Sequence, residues 1–115
     1  MQYLDPPSFY TKDDSDRIVG TFFWTVYTQG RFLFALEQVT LKYGHGHNEE
    51  GCTFPDWDSV PELHFDGVIF YTFQEETLIS EQRCTEHIDA VCAEYLVSHP
   101  ADTGKVREIL RKRLI

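Results

Sequence analysis

The stretch Val68-Ile69-Phe70-Tyr71-Thr72-Phe73-Gln74-Glu75-Glu76-Thr77-Leu78-Ile79-Ser80-Glu81 decides the fold of this chain. Its first six residues are β-branched or aromatic, types that fit a pleated surface better than a helix. Leu63 to Phe73 is therefore the clearest strand segment, with Asp66-Gly67 as a turn or a bulge inside it. Gln74-Glu75-Glu76 reads as a connection into a short strand, Thr77 to Ile79, and an antiparallel pair is the simplest outcome. Ser80 then has the side chain of a helix N-cap, and Glu81 puts an anion at the positive end of the helix dipole. One short segment thus passes from sheet to helix, which points to an α+β chain.

On the C-terminal side, Cys84, Ile88, Val91, Cys92, Tyr95 and Leu96 form the apolar stripe of a helix that ends near Ser98, because Pro100 blocks its continuation. Asp102 or Thr103 is expected to cap a final helix that buries Val106, Ile109 and Leu110. The cations Lys105, Arg107, Arg111, Lys112 and Arg113 on its other faces suit a helix C-terminus and need no ligand.

On the N-terminal side, Arg31 to Tyr43 carries Phe32, Leu36, Val39 and Tyr43 on one helical face, and Gly44 sits where a left-handed C-cap is wanted. Before it, Ile18, Val19, Phe22, Phe23, Val26 and Tyr27 recur at helical spacing. Thr21, Thr25, Thr28 and the aromatics have strand propensity, so residues 18–28 read as helix or strand until Gly30 interrupts. Residues 1–17 read as an irregular lead-in. Gly44 to Pro61, rich in Gly, Pro, Asn and Asp and without periodicity, reads as a long loop, a kind of segment that is usually functional. The expected architecture is one domain over residues 1–115: N-terminal helices, a small antiparallel sheet and two C-terminal helices packed on it.

Composition narrows the class. With 115 residues, 42% of them hydrophobic and 15% aromatic, the chain has ample core material and is not a disordered acidic polymer. It has no apolar run of about 18 residues, and its start lacks the basic and apolar regions of a signal peptide. Cys52, Cys84 and Cys92 cannot all pair, which fits a reducing compartment and hence the cytoplasm. Cys84 and Cys92, eight residues apart on one helix, lie about 12 Å from each other along its axis, too far to bridge. Buried, inert thiols are the expectation.

The charge is unevenly placed. Residues 1–100 carry 17 Asp and Glu against 5 Lys and Arg, whereas residues 101–115 carry 5 basic against 2 acidic. A net charge of −9 argues against nucleic acid as the direct partner, because phosphate binding needs cations. It suits a basic protein, whose approach an acidic surface accelerates, although acidity serves solubility as readily.

Signals for chemistry are weak. His45, His47 and Cys52 suit zinc, but a fourth ligand would have to come from His64 or Asp56. A nucleophile elbow and a phosphate-cradling glycine loop are both missing from the sequence. The acid pairs Asp56 and Asp58, and Glu75 and Glu76, sit in turns and read as solvated surface rather than as a catalytic dyad. Trp57, between two aspartates, either folds inward as a satellite of the core or anchors a partner. No cofactor is expected.

The strings Cys52-Thr53-Phe54-Pro55-Asp56-Trp57, Phe65-Asp66-Gly67-Val68, Glu76-Thr77-Leu78-Ile79-Ser80-Glu81 and Tyr95-Leu96-Val97-Ser98-His99-Pro100 together resemble the ribonuclease-toxin immunity proteins of bacterial contact-dependent growth inhibition systems. The resemblance covers roughly residues 18–112. It implies a non-enzymatic cytoplasmic protein that forms a heterodimer with a basic ribonuclease toxin and covers its RNA-binding cleft, without touching nucleic acid or membrane. Combined with the charge pattern, it makes Glu49, Glu50, Asp56, Trp57, Asp58, Asp66, Glu75 and Glu76 the expected contact surface. The alternatives are a metal-binding protein or metal-dependent enzyme using His45, His47 and Cys52, or a general protein-interaction module.

Overall fold

Between helix and strand, residues 18–28 choose helix: α1 runs Arg17–Thr28 and buries Ile18, Val19, Gly20, Phe22, Phe23 and Val26. The cost of a threonine in a helix, roughly half a kcal/mol, is small beside the burial of a whole apolar face. The computed structural model describes residues 17–47, 50–58, 60–72 and 74–115, apart from the side chains of His47 and Leu63. Most of the expected lead-in, residues 1–16, lies outside the described residues.

Helix α2 runs Phe32–Thr40, shorter at both ends than the pattern suggests. Its exit turns on Lys42 at φ 64° and Gly44 at φ 79°, which leaves Tyr43 exposed rather than on the buried stripe. Gly44 is required for two reasons: its left-handed backbone, and the Cys52 carbonyl that would stand 2.9 Å from an added Cβ.

The stretch expected to be loop, Gly44 to Pro61, instead supplies half of the sheet. Strand β1, His45–His47, pairs antiparallel with β2, Glu50–Thr53. Two of the residues that suggested a loop, Gly46 and Gly51, stand opposite each other in that pair. They are small because the Tyr71 hydroxyl lies 3.1 Å from where a Cβ on Gly46 would be, and 2.8 Å from one on Gly51. Beyond β2 the chain makes a single 3₁₀ turn, Pro61–Leu63.

Strand β3 is Val68–Tyr71 and β4 is Glu76–Ile79. The long strand segment that Leu63 to Phe73 suggests is thus trimmed at both ends, and Phe73 lies outside the described residues. The entry is set by Gly67 at φ 113°, where any Cβ would run into the Ile79 carbonyl. All four strands are antiparallel in the order β1-β2-β3-β4.

Helix α3 spans Glu81–Ser98, and Ser80 caps it as expected, its Oγ accepting from the Arg83 amide at 3.0 Å. Helix α4 spans Thr103–Arg111 and buries Val106, with Ile109 and Leu110 half-buried. The expected cap does not form there. The Asp102 carboxylate accepts instead from the Tyr95 hydroxyl at 2.5 Å, and the Thr103 hydroxyl donates to the Pro100 carbonyl at 2.7 Å. After α4, the Leu114 amide donates to the Thr40 carbonyl at 2.8 Å, fastening the tail to the end of α2.

The architecture is α+β, as the sequence suggests. Phe22 and Phe23 of α1 meet Phe70 of β3 at ring distances of 5.4 and 6.3 Å, and Val68, Phe70, Cys84, Ile88 and Val91 are fully buried in the same core. The helices therefore cover one face of the sheet. No helix of the described residues is long and apolar enough to cross a membrane.

Candidate functional site

Alternation along each strand sends successive side chains to opposite faces of the sheet. Cys52, Val68, Phe70 and Ile79 point into the core. The residues between them, Thr53, Ile69, Tyr71, Glu76 and Leu78, point the other way, and the register brings Thr53 and Leu78 to either side of Ile69, with Glu76 opposite Tyr71. On this second face Thr53, Glu76 and Leu78 are exposed, Ile69 and Tyr71 half-buried. Thr53, Ile69, Tyr71, Thr72, Gln74, Glu75 and Glu76 line a shallow hollow of about 470 Å³.

The eight residues expected to make contact fall into separate groups. Glu75 and Glu76 are exposed at the Tyr71 end of the sheet. Glu75 is engaged by Arg17, whose Nη2 lies 2.9 and 3.2 Å from its two oxygens. Asp66, also exposed, sits two residues before β3 at the opposite end, beyond a strand about 10 Å long. It lines a groove of about 250 Å³ with Trp57, His64 and Phe65. Asp56 accepts the Asp58 amide at 3.0 Å, an Asx turn that holds Trp57 at its apex.

Of the two possibilities for Trp57, the outward one is found. The indole is 58% exposed and stands edge-on against His64 at 4.8 Å. Glu50 is elsewhere: half-buried on the helix side of β2, it borders a small recess with Phe22, Thr25, Val26, Gln29 and His45, its Oε1 buried without a hydrogen-bond partner. Glu49 lies outside the described residues.

The cations of the molecule are largely paired within it. Arg111 and Lys112 both reach Glu108, at 2.6 and 3.3 Å, and their hydrogen bonds hold its carboxyl at about 2. Arg113 meets Asp89 at 2.8 Å, Lys42 meets Glu81 at 2.9 Å and Arg83 meets Glu86 at 2.9 Å. The charge of the basic tail is accordingly met in part by Glu108 and Asp89 of the two C-terminal helices. Asp58, Asp66 and Glu76 make no ion pair among the described residues.

The alternative chemistry finds little support. His45 pairs with Cys52 across β1 and β2, but its ring rests against Phe22 and Phe34 at 6.0 and 5.7 Å. No group of three His, Cys, Asp or Glu that could hold a metal ion is found among the described residues. All three cysteines are free and buried. Burial pushes the Cys84 and Cys92 thiols up to about 12 and raises Cys52 as well, so at neutral pH none is the thiolate that attack or metal binding requires.

Sequence reasoning missed Ile69, Tyr71 and Leu78. An unbroken apolar run conceals which of its residues face the core. The signal lay in register: once Leu78 pairs with Ile69, the acids and threonines of the neighbouring strands mark the wet side.

No curated protein matches this chain. A family model described as CDI immunity protein matches residues 15–110, a span that takes in every element of the fold from α1 to nearly the end of α4. The chain therefore belongs to the CDI immunity protein family.

Proposed function

We propose that this protein neutralises a ribonuclease toxin stoichiometrically, by covering the basic RNA-binding cleft with an acidic surface, and catalyses no reaction itself. Family membership implies a cognate toxin protein as the partner. The observation that carries the rest is the asymmetry of charge: most of the described cations are engaged in internal pairs, while Asp58 and Asp66 beside an outward Trp57, and Glu76 at the other end of the sheet, stand exposed and make no ion pair among the described residues.

In this reading the carboxylates imitate RNA phosphates and steer the toxin in, while Trp57 supplies buried area. The contact set is drawn from Glu49, Glu50, Asp56, Trp57, Asp58, Asp66, Glu75 and Glu76. The complex is a one-to-one heterodimer acting as a single domain in the cytoplasm, where reduced thiols such as Cys52, Cys84 and Cys92 are the norm.

Co-expression with the toxin domain encoded immediately upstream tests the proposal. Growth should be rescued, and purified chain should stop RNA cleavage at one equivalent. A toxic neighbour that this chain neither binds nor restrains would end the idea; a neighbour that is restrained but cleaves no RNA would remove the ribonuclease part alone.

A further inference from the structure

We propose that the face of the sheet that carries no helix among the described residues is the seat of the toxin, with Ile69, Tyr71 and Leu78 as its apolar centre, the carboxylate of Glu76 at the Tyr71 end and Asp66 just before β3 at the other. This rests on the immunity reading above and names the surface that performs it.

The face has the anatomy of an interface core with a polar rim. Leu78 is 54% exposed within its strand and lies across the register from half-buried Ile69, whose other neighbour is exposed Thr53. The hollow beside it continues to Glu75 and Glu76. Other exposed apolar side chains, such as Val97 on α3 and Tyr43 after α2, lie on separate elements of the helical side and away from these acids.

Charge complementarity selects the occupant. Asp66 and Glu76 make no ion pair among the described residues, and Glu75 spends its charge on Arg17. A nucleic acid or an acidic membrane surface would be repelled by such a rim, whereas a protein patch of Lys and Arg around an apolar point fits it.

The surface is also rigid before binding. Tyr71 is backed by Gly46 and Gly51, which leave no side chain between its ring and the backbone, and antiparallel pairs on both flanks fix β3. A preformed platform avoids the ordering cost that a loop would incur on association. Glu50, turned to the helical side, lies outside this seat even though its charge suggests otherwise.

The probe is the purified toxin domain encoded immediately upstream, titrated against wild-type chain, Leu78→Asp, Thr53→Arg and, as a control on the helical side, Val97→Asp. Leu78→Asp and Thr53→Arg should each weaken the complex at least ~30-fold, the scale of a central contact, and Val97→Asp less than about twofold. The double variant Asp66→Asn with Glu76→Gln should slow association several-fold at low salt, with the difference fading as salt is raised. Urea midpoints for every variant separate lost binding from lost folding, and with Leu78 and Thr53 exposed, at least one of the two is expected to fold normally.

Wild-type chain that neither binds nor protects overturns the immunity reading and this inference together. Wild-type chain that binds while folded Leu78→Asp and Thr53→Arg bind equally well overturns the sheet face alone.

Discussion

Phe70 and Tyr71 are neighbours in one strand, yet Phe70 is sealed between α1 and the sheet while Tyr71 lies half-open over two glycines. The same contrast repeats across the register, in Cys52 against Thr53 and Ile79 against Leu78. One face of the sheet is used for stability. Among the described residues the other carries no helix, has acids without an ion pair toward its ends, and costs the fold little. A small protein that must hold a shape and also grip a partner can divide the two tasks between alternate residues of the same strands.

The division can be broken most directly at its centre. Phe70→Ala should cost about 3–5 kcal/mol in a urea titration, because a fully buried ring leaves a cavity against Phe22 and Phe23, whereas Leu78→Ala should cost less than about 1 kcal/mol. Equal losses would mean that the two faces are not distinct. Gly51→Ala comes next, at about 1–3 kcal/mol: its Cβ would meet the His45 carbonyl, the Gly46 Cα at 2.8 Å and the Tyr71 hydroxyl at 2.8 Å. A tolerated alanine would show that Tyr71 does not rest on the backbone there.

The covered face also has a signature in pH. Burial pushes the Cys84 and Cys92 thiols up to about 12 in the folded chain, against the 9.0 of an exposed thiol, so above pH 9 the unfolded chain sheds protons that the native chain keeps. Stability from these thiols is complete below pH 9 and is lost progressively as pH rises toward 12, by roughly 1–2 kcal/mol per thiol at pH 10. Urea midpoints at pH 7, 9 and 10 measure the fall, and Cys92→Ala should reduce it by one thiol's share. The smallest effect belongs to the open face: Glu76→Gln should leave the unfolding free energy within about 0.5 kcal/mol of wild type, since that carboxylate is exposed and makes no ion pair among the described residues.

Helices and caps were the most legible part of the sequence, because they are local. Spacing located α3 and α4 but left residues 18–28, which form most of α1, open between helix and strand, and Ser80 announced the start of α3 through a hydrogen bond to a residue three positions on. The β1–β2 hairpin was not legible, because its meaning is non-local: Gly46 and Gly51 look like loop glycines until Tyr71, twenty residues later, is laid over them. The missed cap at Asp102 has a similar origin, a hydroxyl from α3 competing for the carboxylate. Among the site residues, composition identified Asp66, Glu75 and Glu76 as surface, since acids and turn residues avoid burial, but it left Trp57 open between an inward and an outward placement. It could not tell that Glu50 faces α1, or that Arg17 engages Glu75, because both depend on which strands are neighbours.

The exposed indole of Trp57 has a practical consequence. The other tryptophan, Trp24, is half-buried and packed against the core, so the two rings report from unlike surroundings, one open to water and one partly shielded from it. Light emitted by Trp24 should shift to the red only when the chain unfolds. Emission from Trp57 is already red in the native protein and should move to the blue when something settles over the Asp56–Asp58 turn, giving an optical readout of occupancy that needs no attached dye.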